Sequence, residues 1–178
     1  PLVVSSEEPV EDALPKGDAL EDELKYLQEE TYVITPSRIP QRIEKAPGSI
    51  YVVTDKQIQQ MGARYLSDVI DTVPGWSLTQ HYHGWPLISV DGASGYASSY
   101  ILFMINSLIM NNVLYGTGSF NGFLDLDNVK RIEFVTGPGS ALYGSGAMAG
   151  IVNVITKEAE DVDGLQVTGR GGSYNTWE

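Results

Sequence analysis

Two histidines in an aromatic loop are the residues of this sequence whose types and spacing best suit chemistry. His81 and His83 are two positions apart, so on an extended chain both imidazole rings would point to the same side. With Asp91 they offer three groups that ligate metal ions, although three such groups on loops are weak evidence for a metal site. We therefore favour a pair of exposed loop histidines beside Tyr82 and Trp85 and assign no metal site.

A glycine-rich stretch at residues 130–157 is the second candidate, for phosphate binding. It lacks the Gly-Lys-Ser/Thr of a Walker loop. Gly144 and Gly146 match part of a dinucleotide fingerprint, but a β-branched run at 151–156 follows where that fingerprint requires a helix. Ser140 lacks a nucleophile elbow, and no paired carboxylates suggest acid–base catalysis. Nothing in the sequence supports an enzyme.

Composition narrows the classes of partner. The chain has 178 residues and a net charge of −12, with ten acidic side chains and two lysines in its first thirty residues. This balance argues against nucleic acids and anionic membranes, which bind basic surfaces. The absence of cysteine excludes disulfides, thiolate zinc sites and cysteine nucleophiles. The longest apolar run, about residues 100–110, falls short of the ~20 residues that a membrane helix needs.

Alternating and β-branched runs predict the elements that position these groups. We expect residues 1–30 to form a flexible acidic tail. Strands are predicted at 49–54, 76–80, 87–90, 100–105, 131–135 and 151–156, and from Leu165 onward. Helices are predicted at 56–61, with Asp55 as N-cap, at 65–72, and as one turn at 125–129. This mixture indicates an α+β fold: a small mixed β-sheet with short helices.

A short β-prone segment, TYVIT at residues 31–35, follows the acidic tail. An extended segment beside a flexible tail can add as a strand to the edge of a partner's sheet. The other interpretation is an ordinary first strand of the domain, and the residues alone favour it.

Several motifs occur in a fixed order along residues 30–157. They are ETYVIT (30–35) followed by Ser37-Arg38, LSDVI (66–70) with VPG (73–75), RIE (131–133), GPGSALYG (137–144) and AGIVNVITK (149–157). In this order they resemble the plug domain of TonB-dependent outer-membrane receptors, and the glycine-rich run is the most specific part of the resemblance. The resemblance implies the plug fold, in which the glycines have a structural role.

The resemblance also implies a function. The chain would be the gate of a Gram-negative outer-membrane transporter for a scarce nutrient such as a siderophore, haem, cobalamin or other metal complex. The plug would fill its own barrel of about 22 strands. Residues 1–30 would be a periplasmic tail, 31–35 the TonB box, 36–160 the plug, and 161–178 the start of the first barrel strand. The alternative is a free-standing soluble module that binds a metal chelate.

Specific residues carry over from the resemblance. The TonB C-terminal domain would bind Glu30, Thr31, Tyr32, Val33, Ile34 and Thr35. Apical loops would contact the ligand through His81, Tyr82, His83, Trp85, Tyr96 and Tyr115. Arg131 would pair with barrel glutamates, whereas Asp91 replaces a second arginine that is usual in the family. An unpaired strand from Leu165 would favour a strand-exchanged homodimer of the fragment.

Overall fold

The computed structural model describes most of the chain between residues 32 and 177. The described residues are 32–35, 41–43, 48–80, 84, 86–117, 124–162, 164, 171–172 and 176–177. The acidic tail, Glu30 and Thr31 lie outside them. So do His81, Tyr82, His83 and Trp85, as well as residues 165–170 of the predicted last strand.

Eleven strands and three short α-helices form the described part of the chain. The strands are β1 (Tyr32–Val33), β2 (Gln41–Arg42), β3 (Ser49–Thr54), β4 (Trp76–Gln80), β5 (Pro86–Val90), β6 (Ile101–Ile105), β7 (Leu108–Ile109), β8 (Val129–Thr136), β9 (Gly150–Thr156), β10 (Gly171–Gly172) and β11 (Thr176–Trp177). The helices are α1 (Asp55–Met61), α2 (Leu66–Ile70) and α3 (Ser140–Tyr143).

The main sheet has five strands in the order β3-β8-β9-β6-β7. β6 and β9 are parallel, and the other pairs in this sheet are antiparallel. The fold is therefore α+β with a small mixed sheet, as predicted. Three two-stranded sheets accompany it, made of β1 with β2, β4 with β5, and β10 with β11. Among the described residues, no helix is long and apolar enough to cross a membrane.

Successive side chains of a strand point to opposite faces of its sheet, and β6 of the main sheet has buried side chains on both faces. Ile101 and Phe103 of β6 join the larger core, which includes the buried residues of α1 and α2. Leu102 and Met104 join a smaller core on the other face. This arrangement confirms that β6 is a fully covered strand.

The two predicted helices form, with different ends. Thr54, rather than Asp55, caps α1: its hydroxyl accepts from the backbone of Gln57, whose side chain accepts from the Thr54 N–H. Asp55 is the first helical residue, because Thr54 already supplies the oxygen that the first turn needs. The second helix was predicted too long. α2 ends at Ile70, and Gly75, at φ +80°, turns the chain into β4.

A hairpin between β6 and β7 was not predicted. Its two turn residues, Asn106 and Ser107, have φ of +49° and +66°. Two consecutive positive φ values are typical of a type I′ turn, which usually contains glycine. Asn-Ser gives a much weaker sequence signal for such a turn, so no strand was predicted after residue 105.

Two further expectations need correction. Residues 125–129 do not form a helical turn: Asp125 bridges Tyr65, a turn covers 127–128, and β8 begins at Val129. The glycine-rich connection, in which no helix was predicted, contains α3 and a 3₁₀ turn at Ser145–Ala147. The side chain of Asp125 explains the error at 125–129, since its carboxylate accepts the N–H of Asp127 locally.

The last strands pair with each other. Gly171 lies opposite Trp177 and Gly172 opposite Thr176. The strand predicted from Leu165 falls largely outside the described residues, so the strand-exchanged homodimer stays a prediction.

Candidate functional site

Residues 32–35, the described part of the predicted TonB-binding segment, lie against the domain. Tyr32 and Val33 pair with Arg42 and Gln41 in the small β1–β2 sheet. Val33 and Thr35 are fully buried, whereas Tyr32 is 41% exposed. We call residues 32–35 the N-terminal segment. Its packing means that half of its side chains are not accessible in this conformation.

The carboxylate of Glu133 receives the end of the N-terminal segment. The Ile34 N–H donates to both carboxylate oxygens, at 3.1 and 3.3 Å. The Thr35 N–H donates at 2.9 Å and the Thr35 hydroxyl at 2.6 Å. Hydrogen bonds to an ionised acceptor are stronger than those between neutral groups. Glu133 therefore binds the segment through three different donors.

A guanidinium balances this buried carboxylate. Arg131 Nε lies 3.0 Å from Glu133 Oε1, and the two side chains are 10% and 0% exposed. A carboxylate removed from water is tolerated when it is both paired and hydrogen-bonded. Arg131 and the N-terminal segment together meet that requirement for Glu133.

Two more side chains hold Thr35. The Asn153 amide donates to the Thr35 hydroxyl at 2.9 Å, and the Tyr143 hydroxyl donates to the Thr35 carbonyl at 2.8 Å. The Asn153 oxygen accepts the Ser107 N–H at 3.0 Å, which fixes the orientation of its amide. We call Thr35, Arg131, Glu133, Tyr143 and Asn153 the Thr35 cluster.

Strand register explains why these residues meet. Arg131 and Glu133 are two apart on β8, so they share one face of the sheet. Glu133 lies directly opposite Asn153 of β9. Tyr143 is the last residue of α3, in the glycine-rich connection. The sheet therefore places a carboxylate and an amide side by side under the N-terminal segment.

The N-terminal segment is extended over only part of its predicted length. The strand covers Tyr32 and Val33; a bend and a turn follow at Ile34 and Thr35. In a strand, successive N–H groups point to opposite sides. Here the successive N–H groups of Ile34 and Thr35 converge on one carboxylate, so the chain cannot be extended there.

Sequence reasoning missed Glu133 and Asn153 as contacts of this segment. Glu133 is 98 residues from Thr35, and Asn153 is 118 residues away. The available signal was the presence of two charged residues, Arg131 and Glu133, alternating with the apolar residues of a buried strand. The pairing of Arg131 with a barrel glutamate stays a prediction, while within the described residues its Nε contacts Glu133.

The predicted ligand-contacting tyrosines lie on two separate loops and are exposed. Tyr96 begins a 3₁₀ turn and is 67% exposed; Tyr115 is 68% exposed. Asn111 braces the second loop, since its oxygen accepts the Phe103 N–H and its amide donates to the carbonyls of Ile101 and Gly116. The Asn112 oxygen accepts the N–H groups of Leu114 and Tyr115. This bracing presents Tyr115, beside the exposed Val113 and Leu114, from an ordered turn.

Of the three groups considered for a metal site, only Asp91 lies within the described residues, since His81 and His83 lie outside them. Among the described residues, no cluster of three or more His, Cys, Asp or Glu side chains could hold a metal ion. Asp91 lies in a turn at φ +48°, where its N–H donates to the Gly75 carbonyl at 2.8 Å. Asp91 is exposed, and its position serves the turn after β5.

Glycines of the 130–157 stretch fill close contacts. A Cβ at Gly150 would lie 2.9 Å from both the Trp76 ring and the Val135 carbonyl. A Cβ at Gly139 would lie 2.5 Å from Ile151 Cδ1. Distances below 3.0 Å are too short for real contacts. These two glycines therefore permit close packing rather than ligand binding.

The sequence profile of the TonB-dependent Receptor Plug Domain family matches residues 42–151. The chain belongs to this family. That membership confirms the predicted resemblance and the prediction that the chain is not an enzyme, because the family consists of receptors. It also places the chain in the outer membrane, and it favours a receptor plug over a free-standing module.

Curated relatives include vitamin B12 transporters named BtuB. The protein from Vibrio vulnificus (strain CMCP6) is 34% identical over 144 residues, which are 81% of this chain and 23% of the relative. The protein from Photobacterium profundum is 31% identical over 142 residues, 79% of this chain and 23% of the relative. The chain thus spans about a quarter of the length of these relatives.

Solved structures of receptors share the fold. The P. aeruginosa FpvA complex with a heterologous pyoverdine has a TM-score of 0.62 at 22% identity, covering 74% of this chain and 17% of that one. The alcaligin receptor FauA from Bordetella pertussis has a TM-score of 0.57 at 22% identity, covering 72% and 21%. At this level of identity the likeness establishes the plug fold alone.

Proposed function

We propose that this plug gates an outer-membrane transporter that takes up a small-molecule metal complex, and that residues 30–35 recruit TonB. Family membership carries the proposal, since the receptors of this family depend on TonB. Relatives named for vitamin B12 and receptors named for siderophores support cobalamin or a ferric siderophore as the class of cargo.

The N-terminal segment has the properties that strand addition needs. Its residues are β-prone, and Tyr32 and Val33 already adopt a strand that pairs with β2. A partner domain that offers a sheet edge binds such a segment through main-chain hydrogen bonds. We infer that the TonB C-terminal domain takes the place of β2, or pairs along the N-terminal segment once that segment has left the domain.

The exposed Tyr96 and Tyr115 suit a second role, contact with the metal complex that the receptor takes up. Tyr115 stands beside Val113 and Leu114, which are 102% and 78% exposed. An aromatic ring on a braced turn offers a flat apolar surface with a polar hydroxyl. Such a surface can stack on the organic part of a metal complex, and Tyr96 offers a second ring. The roles of His81, Tyr82, His83 and Trp85 in the same contact are part of this proposal.

A single proline substitution in the N-terminal segment tests TonB recruitment. Val33→Pro removes a backbone donor from the added strand, so we expect binding of the purified TonB C-terminal domain to be lost. Val113→Pro makes the same substitution at an exposed position outside the segment and should leave binding unchanged. Isothermal titration calorimetry measures both. Undiminished binding by Val33→Pro, with a folded domain, would exclude this segment as the TonB site.

A further inference from the structure

We propose that Glu133 holds Ile34 and Thr35 in a closed conformation, and that TonB binds the N-terminal segment only after this carboxylate has released it. The inference rests on the proposed function, because it assumes that the segment is the TonB site. It adds Glu133 as the group that controls access to that site, although Glu133 lies 98 residues beyond Thr35 along the chain. It also adds two positioning residues.

The geometry makes the two states mutually exclusive. Glu133 accepts the N–H groups of Ile34 and Thr35 together, at 3.1 and 2.9 Å. Strand addition requires these two N–H groups to point to opposite sides. While both are bound to Glu133, the segment cannot form a continuous strand through Thr35. TonB pairing along 31–35 therefore requires the Glu133 contacts to break.

Thr35 concentrates the remaining closing contacts. Its hydroxyl donates to Glu133 at 2.6 Å while accepting from the Asn153 amide at 2.9 Å. Its carbonyl accepts from the Tyr143 hydroxyl at 2.8 Å. Each of these partners belongs to β8, β9 or α3, so every contact ties the segment to the body of the domain. Opening replaces all of them with water.

Tyr143 is the most useful residue for a test. It lies outside the N-terminal segment, so changing it leaves the surface that TonB would contact intact. It is also not one of the buried ionic pair, so the domain should fold without its hydroxyl. We assign Tyr143 and Asn153 as positioning residues, which act on TonB binding only through the closed conformation of Thr35.

The expected size of the effect follows from the population of the open state. A partner that binds only the open conformation has an apparent Kd equal to its intrinsic Kd divided by the open fraction. One neutral hydrogen bond contributes roughly enough to change an equilibrium about fivefold. Tyr143→Phe should therefore open the segment about fivefold more often and tighten TonB binding by about the same factor.

The test combines two readouts on the same proteins. Amide hydrogen exchange, followed by NMR, reports opening at Ile34 and Thr35, and calorimetry with the TonB C-terminal domain reports the apparent Kd. Both should change about fivefold in Tyr143→Phe. Glu133→Gln, which removes the ionised acceptor, should change both by about tenfold or more. Tyr51→Phe makes the same chemical change on β3, away from the Thr35 cluster, and should change neither.

Distinct results separate the two levels of the proposal. Faster exchange at Ile34 and Thr35 in Tyr143→Phe, with tighter TonB binding, supports control by Glu133. TonB binding that stays at the wild-type Kd in Tyr143→Phe and Glu133→Gln overturns that control, while TonB recruitment itself stands. No TonB binding by the wild type or any variant refutes recruitment and the inference together. Thermal unfolding, followed by circular dichroism, shows whether Glu133→Gln keeps its fold. If it does not, the result for Tyr143→Phe alone decides whether Glu133 controls TonB binding.

Discussion

Removing the guanidinium of Arg131 should strongly destabilise the domain. In Arg131→Met the long apolar stem is kept, but Glu133 stays fully buried without its charge partner at 3.0 Å. Breaking a buried ion pair by removing one member costs about 3–5 kcal/mol. Glu133 would keep its donors from Ile34 and Thr35, which places the loss at the lower end of that range, about 3 kcal/mol.

A second substitution separates charge from packing. In Arg131→Met combined with Glu133→Gln, no uncompensated charge remains, so we expect the double variant to be at least ~1 kcal/mol more stable than Arg131→Met. Lys130→Met is the matched control, because Lys130 pairs with Asp161 at 2.8 Å where the side chains are 22% and 12% exposed. A partly solvated pair of this kind contributes about 1 kcal/mol or less.

Urea unfolding measures these differences. Tryptophan fluorescence includes the core signal of Trp76, which packs edge-on against Phe134 with ring centroids 5.1 Å apart, and circular dichroism follows the strands. Coincident transitions would justify a two-state treatment. A loss in Arg131→Met no larger than that of Lys130→Met would refute the reasoning, since it would mean that Arg131 does not neutralise Glu133.

The remaining predictions concern one turn and one exposed ring. Ser107→Gly should raise the free energy of unfolding by roughly 0.5–1 kcal/mol, because Ser107 has φ +66°, and the same urea titration measures this gain; an unchanged midpoint would contradict it. Tyr115→Ala in the full-length receptor should weaken binding of cobalamin or a ferric siderophore about fivefold, because a stacking ring is lost. Affinities equal to those of the wild type, in equilibrium binding of both ligand classes, would remove Tyr115 from the ligand site.

Local pattern was enough to predict much of the fold. β3 and β4 appear where predicted, and β9 begins one residue earlier than predicted, because β-branched and alternating runs are bounded by clear turn residues. The β6–β7 hairpin was missed because Asn106 and Ser107 adopt positive φ without a glycine. The cap of α1 was assigned one residue late because both Thr54 and Asp55 are good capping residues, and only the backbone geometry distinguishes them.

The candidate site was predicted only in part, for a different physical reason. The N-terminal segment was predicted as a β-prone run from its own residues, since β-propensity is local, whereas its assignment as the TonB box came from the family resemblance. Its contacts were not, because Thr35 meets Glu133 and Asn153 across 98 and 118 residues. A charged residue such as Glu133 in an apolar strand shows that some partner exists, but the strand register and the fold decide which one.

An NMR titration of the chain with the TonB C-terminal domain tests the central claim most directly. The amide signals of Ile34 and Thr35, both bound to Glu133 in the closed conformation, should shift or broaden, and their exchange with solvent should change as TonB is added. Signals of the braced loop around Asn111 should stay in place. Changes confined to other surfaces, or no change at a TonB concentration that saturates a known receptor, would contradict recruitment through this segment.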